Sequence, residues 1–166
     1  MSPRESALER IRWSRKFTEQ FLPDLMPAEW FWSPAQYPTH VAWQVGHLAV
    51  AQYNLCLRRV RGRIAEDESL ISEPFIEVFK FGSTPVPTRI ENLGSEEIKR
   101  VFDAVHVQSL AELEKRSDAE LNEPLEQPHP RFATKLGAVE FCSQHELVHA
   151  GQIAMLRRLM GKPPLR

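Results

Sequence analysis

The sequence contains little cysteine. Its two cysteines, Cys56 and Cys142, lie far apart, and each falls within an apolar pattern of helical spacing. A buried free cysteine packs as a small hydrophobic side chain. We therefore expect two reduced thiols in the core rather than a disulfide.

A large excess of charge of one sign is also missing. The formal net charge is −1, and a short basic cluster at residues 58–63 is followed at once by an acidic stretch at 66–68. Nucleic-acid binding needs an excess of lysine and arginine on one face of a protein. The charge pattern therefore predicts no nucleic-acid partner.

Long hydrophobic runs are absent as well. No segment approaches the roughly 20 apolar residues that are needed to cross a membrane. The opening stretch MSPRESALERIRW mixes charges of both signs and does not resemble an export signal. We expect a cytoplasmic protein with no membrane partner.

What the sequence does contain suits an ordinary globular domain. It has 166 residues, of which 42% are hydrophobic and 26% charged, as is typical of such domains. A chain of this length can bury a sizeable core without disulfides. We expect one domain over residues 1–166.

Clusters of proline divide the chain into four long stretches that are almost free of proline and glycine. Each stretch shows the apolar spacing of an amphipathic helix. The predicted helices cover about residues 3–22, 39–61, 95–113 and 134–160. Thr39 and Ser95 are the predicted N-caps of the second and third, and Gly161 followed by Pro163 is a stop signal. Four such helices predict an all-α fold, a four-helix bundle.

The connection between the second and third predicted helices is unusually long. It covers about 30 residues, 63–94, which is more than antiparallel neighbours need. Because it could return along a bundle, the second and third helices could run parallel.

Three of the six histidines fall on helix faces that should point into the core. His145 and His149 are four residues apart and so share one face of the fourth predicted helix. His47 lies on the apolar stripe of the second. Three imidazoles in an apolar core need polar partners. Separate hydrogen bonds are one solution, and one divalent cation that binds all three is the solution we favour.

Three histidine ligands with one open position are typical of catalytic metal sites. Imidazole ligands favour zinc, nickel, cobalt, iron or copper over magnesium or calcium. The remaining histidines are weaker candidates. We expect His40 near a helix start, His106 at the edge of the third helix, and His129 in a solvated loop.

The stretch HELVH, residues 145–149, matches the HExxH pattern of zinc peptidases. Those enzymes take a third ligand from downstream, yet no His, Asp or Glu follows His149. An all-helical chain would also offer no edge strand for a peptide. We therefore expect no peptidase activity. Glu146 is rotated by about 100° from His145, which predicts a surface position, with a role as a base or hydrogen-bond acceptor near the metal as the alternative.

Two segments resemble the DinB/YfiT-like metalloprotein superfamily. They are GHLAVAQYN in the second predicted helix and HELVHAGQIAMLRRLMGKPPL in the fourth. The resemblance implies a four-helix bundle in up-down-down-up order, which the long connection would allow. It also implies His47, His145 and His149 as the metal ligands, with Gly151 and Gln152 completing the motif HxxxHxGQ.

Several members of this superfamily are similar to transferases or isomerases that use mycothiol, bacillithiol or glutathione. The resemblance therefore implies a small-molecule substrate and a low-molecular-weight thiol as co-substrate. We expect one divalent transition metal, zinc or nickel, that activates a thiol for S-transfer. A metal-dependent hydrolase and a non-catalytic bundle that binds a metal or a small ligand are the alternatives. A homodimer is an alternative to a monomer.

Two glutamines can face the same site. Gln152 follows His149 by three residues, and Gln44 precedes His47 by three. Each could face the metal, or could hold a ligand or the backbone by a hydrogen bond, the role we prefer for Gln152. Gln152 and Glu146 are thus the weak catalytic candidates.

Six aromatic residues could wall a pocket, although their spacing is more often that of a core. They are Trp30, Trp32, Trp43, Phe75, Phe79 and Phe81. The sequence alone identifies no cationic cluster for the carboxylates of a thiol.

Overall fold

The computed structural model describes residues 1–85 and 93–164, and most of them are helical. In chain order the elements are α1 (Pro3–Glu19), α2 (Val41–Gln52), α3 (Asp67–Leu70), α4 (Glu73–Phe79), α5 (Ser95–Leu113), α6 (Asp118–Leu121), β1 (Pro124–His129), β2 (Phe132–Thr134) and α7 (Lys135–Leu159). A single 3-10 turn, Glu29–Phe31, precedes α2. The four long helices of the sequence prediction correspond to α1, α2, α5 and α7.

The first helix, α1, begins with a capping box. The Ser2 hydroxyl accepts from the backbone N–H of Glu5, and the Glu5 carboxylate accepts from the backbone N–H of Ser2. These bonds satisfy backbone donors that have no partner within the helix. The helix ends at Glu19, three residues before the predicted end.

Helix α2 begins two residues later than predicted. Nδ1 of His40 accepts from the backbone N–H of Trp43 at 3.0 Å, so His40 caps the helix. The predicted cap, Thr39, instead accepts from Nε2 of Gln44 at 2.8 Å. The cap of α5 differs similarly, because Gly94 is the N-cap and Ser95 is the first helical residue.

The end of α2 is not an ordinary α-helix. A π-helical stretch, Tyr53–Arg58, continues it, and Arg59–Arg61 forms a last turn. Gly62, at φ 82°, ends the run in a conformation that side chains other than glycine rarely adopt. A π-helical stretch rotates the residues beyond it relative to those before it, and such stretches are frequent at functional sites.

The last long helix, α7, is the element against which much of the chain packs. Its N-cap is Thr134, whose hydroxyl accepts from the backbone N–H of Gly137 at 3.1 Å, so the predicted start is confirmed. Helices α1 and α2 both pack against α7, and α2 also packs against α5. The face that carries His47 is thereby brought to the face that carries His145 and His149.

The expectation of an all-α chain is wrong in one place. Strands β1 and β2 form an antiparallel hairpin directly before α7. Strand β1 is not apparent from the sequence because it is short and contains two prolines. Proline is depleted in strands and is tolerated mainly at sheet edges. The hairpin also removes one argument against a peptidase, namely the absence of any edge strand.

Short helices interrupt the long connection between α2 and α5. Both α3 and α4 lie in the stretch that the sequence presents as a linker rich in phenylalanine and proline. Phe75 and Phe79 of α4 are buried in the main hydrophobic cluster, against α2. Residues 86–92 of this connection lie outside the described residues.

Most of the hydrophobic side chains of the long helices are buried in two clusters. One lies around α2 and α5, and the other lies around α1, the end of α2 and the start of α7. Cys56 and Cys142 are free and buried in the second cluster, as predicted. Within the described residues no helix is both long and apolar enough to cross a membrane.

Candidate metal centre

Three histidines from two helices meet between α2 and α7. The ring centroids of His145 and His149 are 4.5 Å apart, and that of His47 lies 5.2 Å from the first and 4.8 Å from the second. One ring nitrogen of each lies within 4.8 Å of the others, an arrangement that could hold a metal ion. Among the described residues, no other cluster of His, Cys, Asp or Glu has this geometry.

A close helix contact orients the ring of His47. Its Nδ1 is 2.8 Å from the carbonyl oxygen of Phe79 at the end of α4. Because a carbonyl only accepts, Nδ1 carries the proton and Nε2 keeps its lone pair. The neighbouring Gly46 permits this approach, since a Cβ there would lie 2.5 Å from the Phe79 ring. The indole of Trp43 stacks on the other side, 4.8 Å from the imidazole and nearly parallel to it.

A chain of amide hydrogen bonds orients the ring of His149. Nε2 of Gln44 donates to Oε1 of Gln152 at 2.9 Å and to the hydroxyl of Thr39. The amide oxygen of Gln44, Oε1, accepts from Nδ1 of His149 at 2.5 Å. That bond again leaves Nε2 of the histidine with its lone pair.

His145 is held differently from the other two. Its ring lies 5.9 Å from that of Phe141, one turn earlier in α7, and it is only half-buried. Within the described parts of the chain no hydrogen bond fixes its ring. It is therefore the member of the cluster nearest to solvent and the one with most rotational freedom.

Burial keeps all three imidazoles neutral. It lowers the pKa of His149 to about 3, with the charges of His145 and His47 as smaller causes. Burial and the neighbouring His47 and Arg131 lower the pKa of His145 to about 4. The pKa of His47 is also lowered by burial, against the opposing hydrogen bond to Phe79. Neutral imidazole is the form that binds a metal ion.

The other three histidines lie outside the cluster. His40 lies at the start of α2, as predicted, and is buried there. His106 is half-buried and bonds to Nε2 of Gln52 at 3.2 Å, and burial lowers its pKa to about 3. His129 ends β1 with its ring stacked on Phe132 at 3.9 Å, instead of lying in a solvated loop.

Glu146 does not lie on the surface. Its side chain is 2% exposed and accepts from Nε of Arg15 at 2.9 Å. The same guanidinium donates to the carbonyl of Phe102 and to Oε1 of Gln52. The sequence-based expectation is wrong because the partner that allows this carboxylate to be buried is 131 residues away.

The glutamine of the HxxxHxGQ motif, Gln152, is exposed, and its side chain is linked to the cluster through Gln44. Of the aromatic residues, Trp43 and Phe79 contact the cluster. Trp30 and Phe75 are buried in the core, whereas Trp32 and Phe81 are exposed.

Comparison with known families adds one match. A model described as the DinB superfamily covers residues 10–153. No curated protein matches the chain. The matched range includes all three clustered histidines, the whole of α2 and α7 as far as Ile153.

Proposed function

The chain belongs to the DinB superfamily, and on that basis we propose that His47, His145 and His149 bind one divalent transition metal ion, zinc or nickel. The proximity of their ring nitrogens carries this proposal. Zinc–nitrogen bonds of about 2.0–2.1 Å in tetrahedral geometry put the nitrogens about 3.3 Å apart, so nitrogens near the 4.8 Å limit of the cluster would have to move closer. The ring of His145, which no hydrogen bond holds among the described residues, can supply that movement.

The residues around the cluster support a metal more than three separate hydrogen bonds. His47 and His149 each use Nδ1 on a protein acceptor, which leaves both Nε2 atoms as lone-pair donors. Metal-binding histidines usually have such an acceptor on the other nitrogen. These two contacts support the proposal, because they are the outer hydrogen bonds that a metal site would need.

We further propose that α1, α2, α5 and α7 form a four-helix bundle in up-down-down-up order. The packing of α1 and α2 on α7 and of α2 on α5 supports this arrangement. The long connection between α2 and α5, partly folded into α3 and α4, supports the parallel course of those two helices.

No described side chain is placed as a fourth ligand. Glu146 is paired with Arg15, and His106 is bonded to Gln52. Both cysteines lie in the second hydrophobic cluster. Three protein ligands with an open position are the arrangement of a catalytic site.

We propose that the protein is a metal-dependent S-transferase that acts on small electrophiles with a low-molecular-weight thiol. A bound divalent ion would supply Lewis-acid activation of the thiol. The thiol proton passes to solvent and the sulfur forms a bond to the electrophilic carbon. The leaving group departs with the electron pair of the bond that breaks.

The chain's own residues shape this reaction site. The indole of Trp43 stacks on His47 and the ring of Phe141 lies beside His145, so apolar surface borders the histidines on two sides. Gln44 and the Phe79 carbonyl hold two imidazoles in place before any ligand arrives. Such preorganisation lowers the free energy that is needed to order these side chains when the reaction takes place.

The metal proposal is tested by elemental analysis of the purified protein and of three variants, His47→Ala, His145→Ala and His149→Ala. We expect one ion per wild-type chain and a loss of bound metal in each variant. His129→Ala is the matched control and should keep its metal. Wild-type stoichiometry in all three cluster variants would overturn the proposal.

The S-transferase proposal is tested with the cobalt(II)-substituted protein. We expect 2-mercaptoethanol to add charge-transfer absorption to the cobalt spectrum, because the open position accepts a thiolate. Transfer to an electrophile such as 1-chloro-2,4-dinitrobenzene is then followed by chloride release and thioether formation. A spectrum that ignores every thiol while ester hydrolysis depends on the metal would favour the hydrolase, and neither response would favour simple metal binding.

A further inference from the structure

The four arginines of the short basic cluster at residues 58–63 lie in two different environments. Arg61 and Arg63 form ion pairs with carboxylates of the chain. Within the part of the chain that the structure describes, Arg58 and Arg59 form none. The positive charge of these two side chains is therefore not neutralised by a described carboxylate and is available to an anionic ligand.

The π-helical stretch at the end of α2 brings these two arginines to the side of Asn54. The backbone N–H of Arg59 donates to the carbonyl oxygen of Asn54, five residues earlier. In a regular α-helix, residues five positions apart are rotated by about 140° from each other. The wider turn of a π-helix reduces this rotation, because its hydrogen bonds join residues five apart. Asn54, Arg58 and Arg59 accordingly line the same groove.

This groove lies between the π-helical stretch and strand β1. Its volume is about 480 Å³, which falls within the range of about 300–1,000 Å³ that is typical of small-molecule sites. The hairpin contributes Leu125, Glu126 and Gln127 to its lining. None of the three clustered histidines is a lining residue, so the groove is a site separate from the candidate metal centre.

An aromatic contact holds the side chain of Arg59 at the groove. Its Cζ lies 5.6 Å from the ring of Phe132 in β2, and the side chain is half-buried. A guanidinium over a ring loses rotational freedom but keeps its N–H donors for other partners. Its charge also reaches the hairpin, where burial and then Arg59 lower the pKa of His129. The groove thus combines one fixed cation with an exposed one, Arg58.

We propose that this groove binds the phosphate group of a small phosphate monoester. Arg58 and Arg59 donate to the phosphate oxygens, and the side-chain amide of Asn54 donates one further N–H. A single guanidinium fork is enough for the two oxygens of a carboxylate. Two forks and an amide suit the three terminal oxygens and the larger negative charge of a phosphate monoester.

The other lining residues favour a small ligand over a nucleic acid. Glu126 is an exposed carboxylate of the groove, and it would repel a long run of phosphates. The formal net charge of −1 gives no excess of basic residues for such a run. Leu125 offers an apolar contact, and Gln127 an amide, to the organic part of the ester. Sugar phosphates and nucleoside monophosphates share this chemistry.

The test is a calorimetric titration of the full chain with glucose 6-phosphate and with adenosine 5′-monophosphate, in a phosphate-free solution of low ionic strength. We expect at least one ester to bind, and the ester that binds identifies the source of the phosphate. Arg58→Ala and Arg59→Ala should each weaken binding about tenfold, because each removes a charged hydrogen-bond partner. Glucose and adenosine, which lack the phosphate, should bind at least tenfold more weakly than their esters.

Two further variants change the charge of the groove in opposite directions. Asn54→Asp adds a carboxylate beside the arginines and should abolish binding of the ester. Glu126→Gln removes a carboxylate and should strengthen binding a few-fold. Both replacements keep the size of the side chain, and circular dichroism melts establish that the variants fold. A groove that merely packs against solvent would not respond with opposite signs.

Arg158→Ala is the matched control, because Arg158 is an exposed residue of α7 without an ion pair among the described residues. It should bind the ester like the wild type. His145→Ala/His149→Ala should also do so, since these histidines do not line the groove. Absence of wild-type binding to either ester, or equal binding by Arg58→Ala/Arg59→Ala and the wild type, would overturn the inference. Loss of binding in the histidine variant alone would overturn it too, because the phosphate would then lie at the histidine cluster.

Discussion

His145 and Glu146 are consecutive residues of α7, but their side chains lie in different environments. The carboxylate of Glu146 is buried against Arg15, whose other donors are also bonded within the chain. The ring of His145 has no such bond among the described residues and lies beside two imidazoles whose free nitrogens face the same small region. One polar site is closed, and the other is open.

The difference shows how the two sites contribute. Burial of the Arg15–Glu146 pair costs a large desolvation energy, which the hydrogen bonds of the pair offset. The role of this pair is therefore structural. The histidine cluster keeps ring nitrogens that have no hydrogen-bond partner among the described residues. Such atoms gain a partner only when a ligand binds. The HExxH pattern joins the two in sequence, although the fold assigns its glutamate to the closed site.

Breaking the closed site should have the largest effect on stability. Arg15→Ala leaves the Glu146 carboxylate buried and unpaired, and we expect a loss of about 3–5 kcal/mol in the free energy of unfolding. Urea unfolding measures this. Arg10→Ala, which breaks the exposed Arg10–Glu140 pair, is the control and should cost less than about 1 kcal/mol.

The double variant Arg15→Met/Glu146→Leu sharpens this comparison. It replaces both charges by apolar groups and should recover most of the lost stability. The refolded protein should still bind one metal ion. A similar small loss for Arg15→Ala and Arg10→Ala would contradict the structural role of the closed pair.

Acid should act on the open site. The pKa of His149 is lowered to about 3 and that of His145 to about 4. Between these values and the ordinary value near 6.5 the unfolded chain binds more protons than the folded chain, so stability falls as pH falls. For the metal-free protein we expect a loss of about 2–4 kcal/mol from pH 7 to pH 5.

The measurement is the urea midpoint as a function of pH. In His145→Ala/His149→Ala the slope should be shallower, although His106, whose pKa is also lowered, keeps part of it. The metal-loaded wild type should release its ion over the same range, since protonation competes with binding. A slope unaffected by the double substitution would contradict the lowered pKa values.

Gly46→Ala should disturb the open site through packing. The new Cβ would lie 2.5 Å from the ring of Phe79, whose carbonyl bonds to His47. Overpacking of this kind costs about 1–3 kcal/mol, and metal affinity should fall with it. Gly151→Ala is the matched control, because a Cβ there meets no atom within 4 Å. Thermal melts of Gly46→Ala and Gly151→Ala that shift equally would contradict this contact.

Gln44→Ala should have the smallest effect on folding but a clear effect on metal binding. It removes the acceptor for Nδ1 of His149, and loss of such an acceptor lowers metal affinity about 10- to 100-fold. Competition with a chromophoric chelator measures this affinity. Gln144→Ala, at an exposed position of α7, should bind metal like the wild type. An unchanged affinity in Gln44→Ala would mean that the hydrogen bond does not orient a ligand.

The sequence predicted what depends on local periodicity. The four-residue spacing of His145 and His149 predicted their common face, and the fourth helix starts near residue 134 as predicted. The meeting of these histidines with His47 followed from apolar stripes alone, since each stripe must face another helix.

What could not be predicted depends on partners that are distant in sequence. Burial of Glu146 requires Arg15, and the orientation of His47 requires a backbone carbonyl of α4. A carbonyl leaves no side-chain signal in the sequence. The hairpin before α7 was likewise hidden, because β1 contains two prolines.

Because Cys56 and Cys142 are buried, the protein's own thiols should react little with added reagents. Both thiols are shielded from reagents, and the hydrogen bond with Cys56 and burial raise the pKa of Cys142, so little of the Cys142 thiolate forms. A colorimetric thiol reagent added to the native protein would therefore register only a thiol supplied in the assay. Its consumption could be followed continuously at high protein concentration without background from the protein, and the onset of a protein signal would report unfolding.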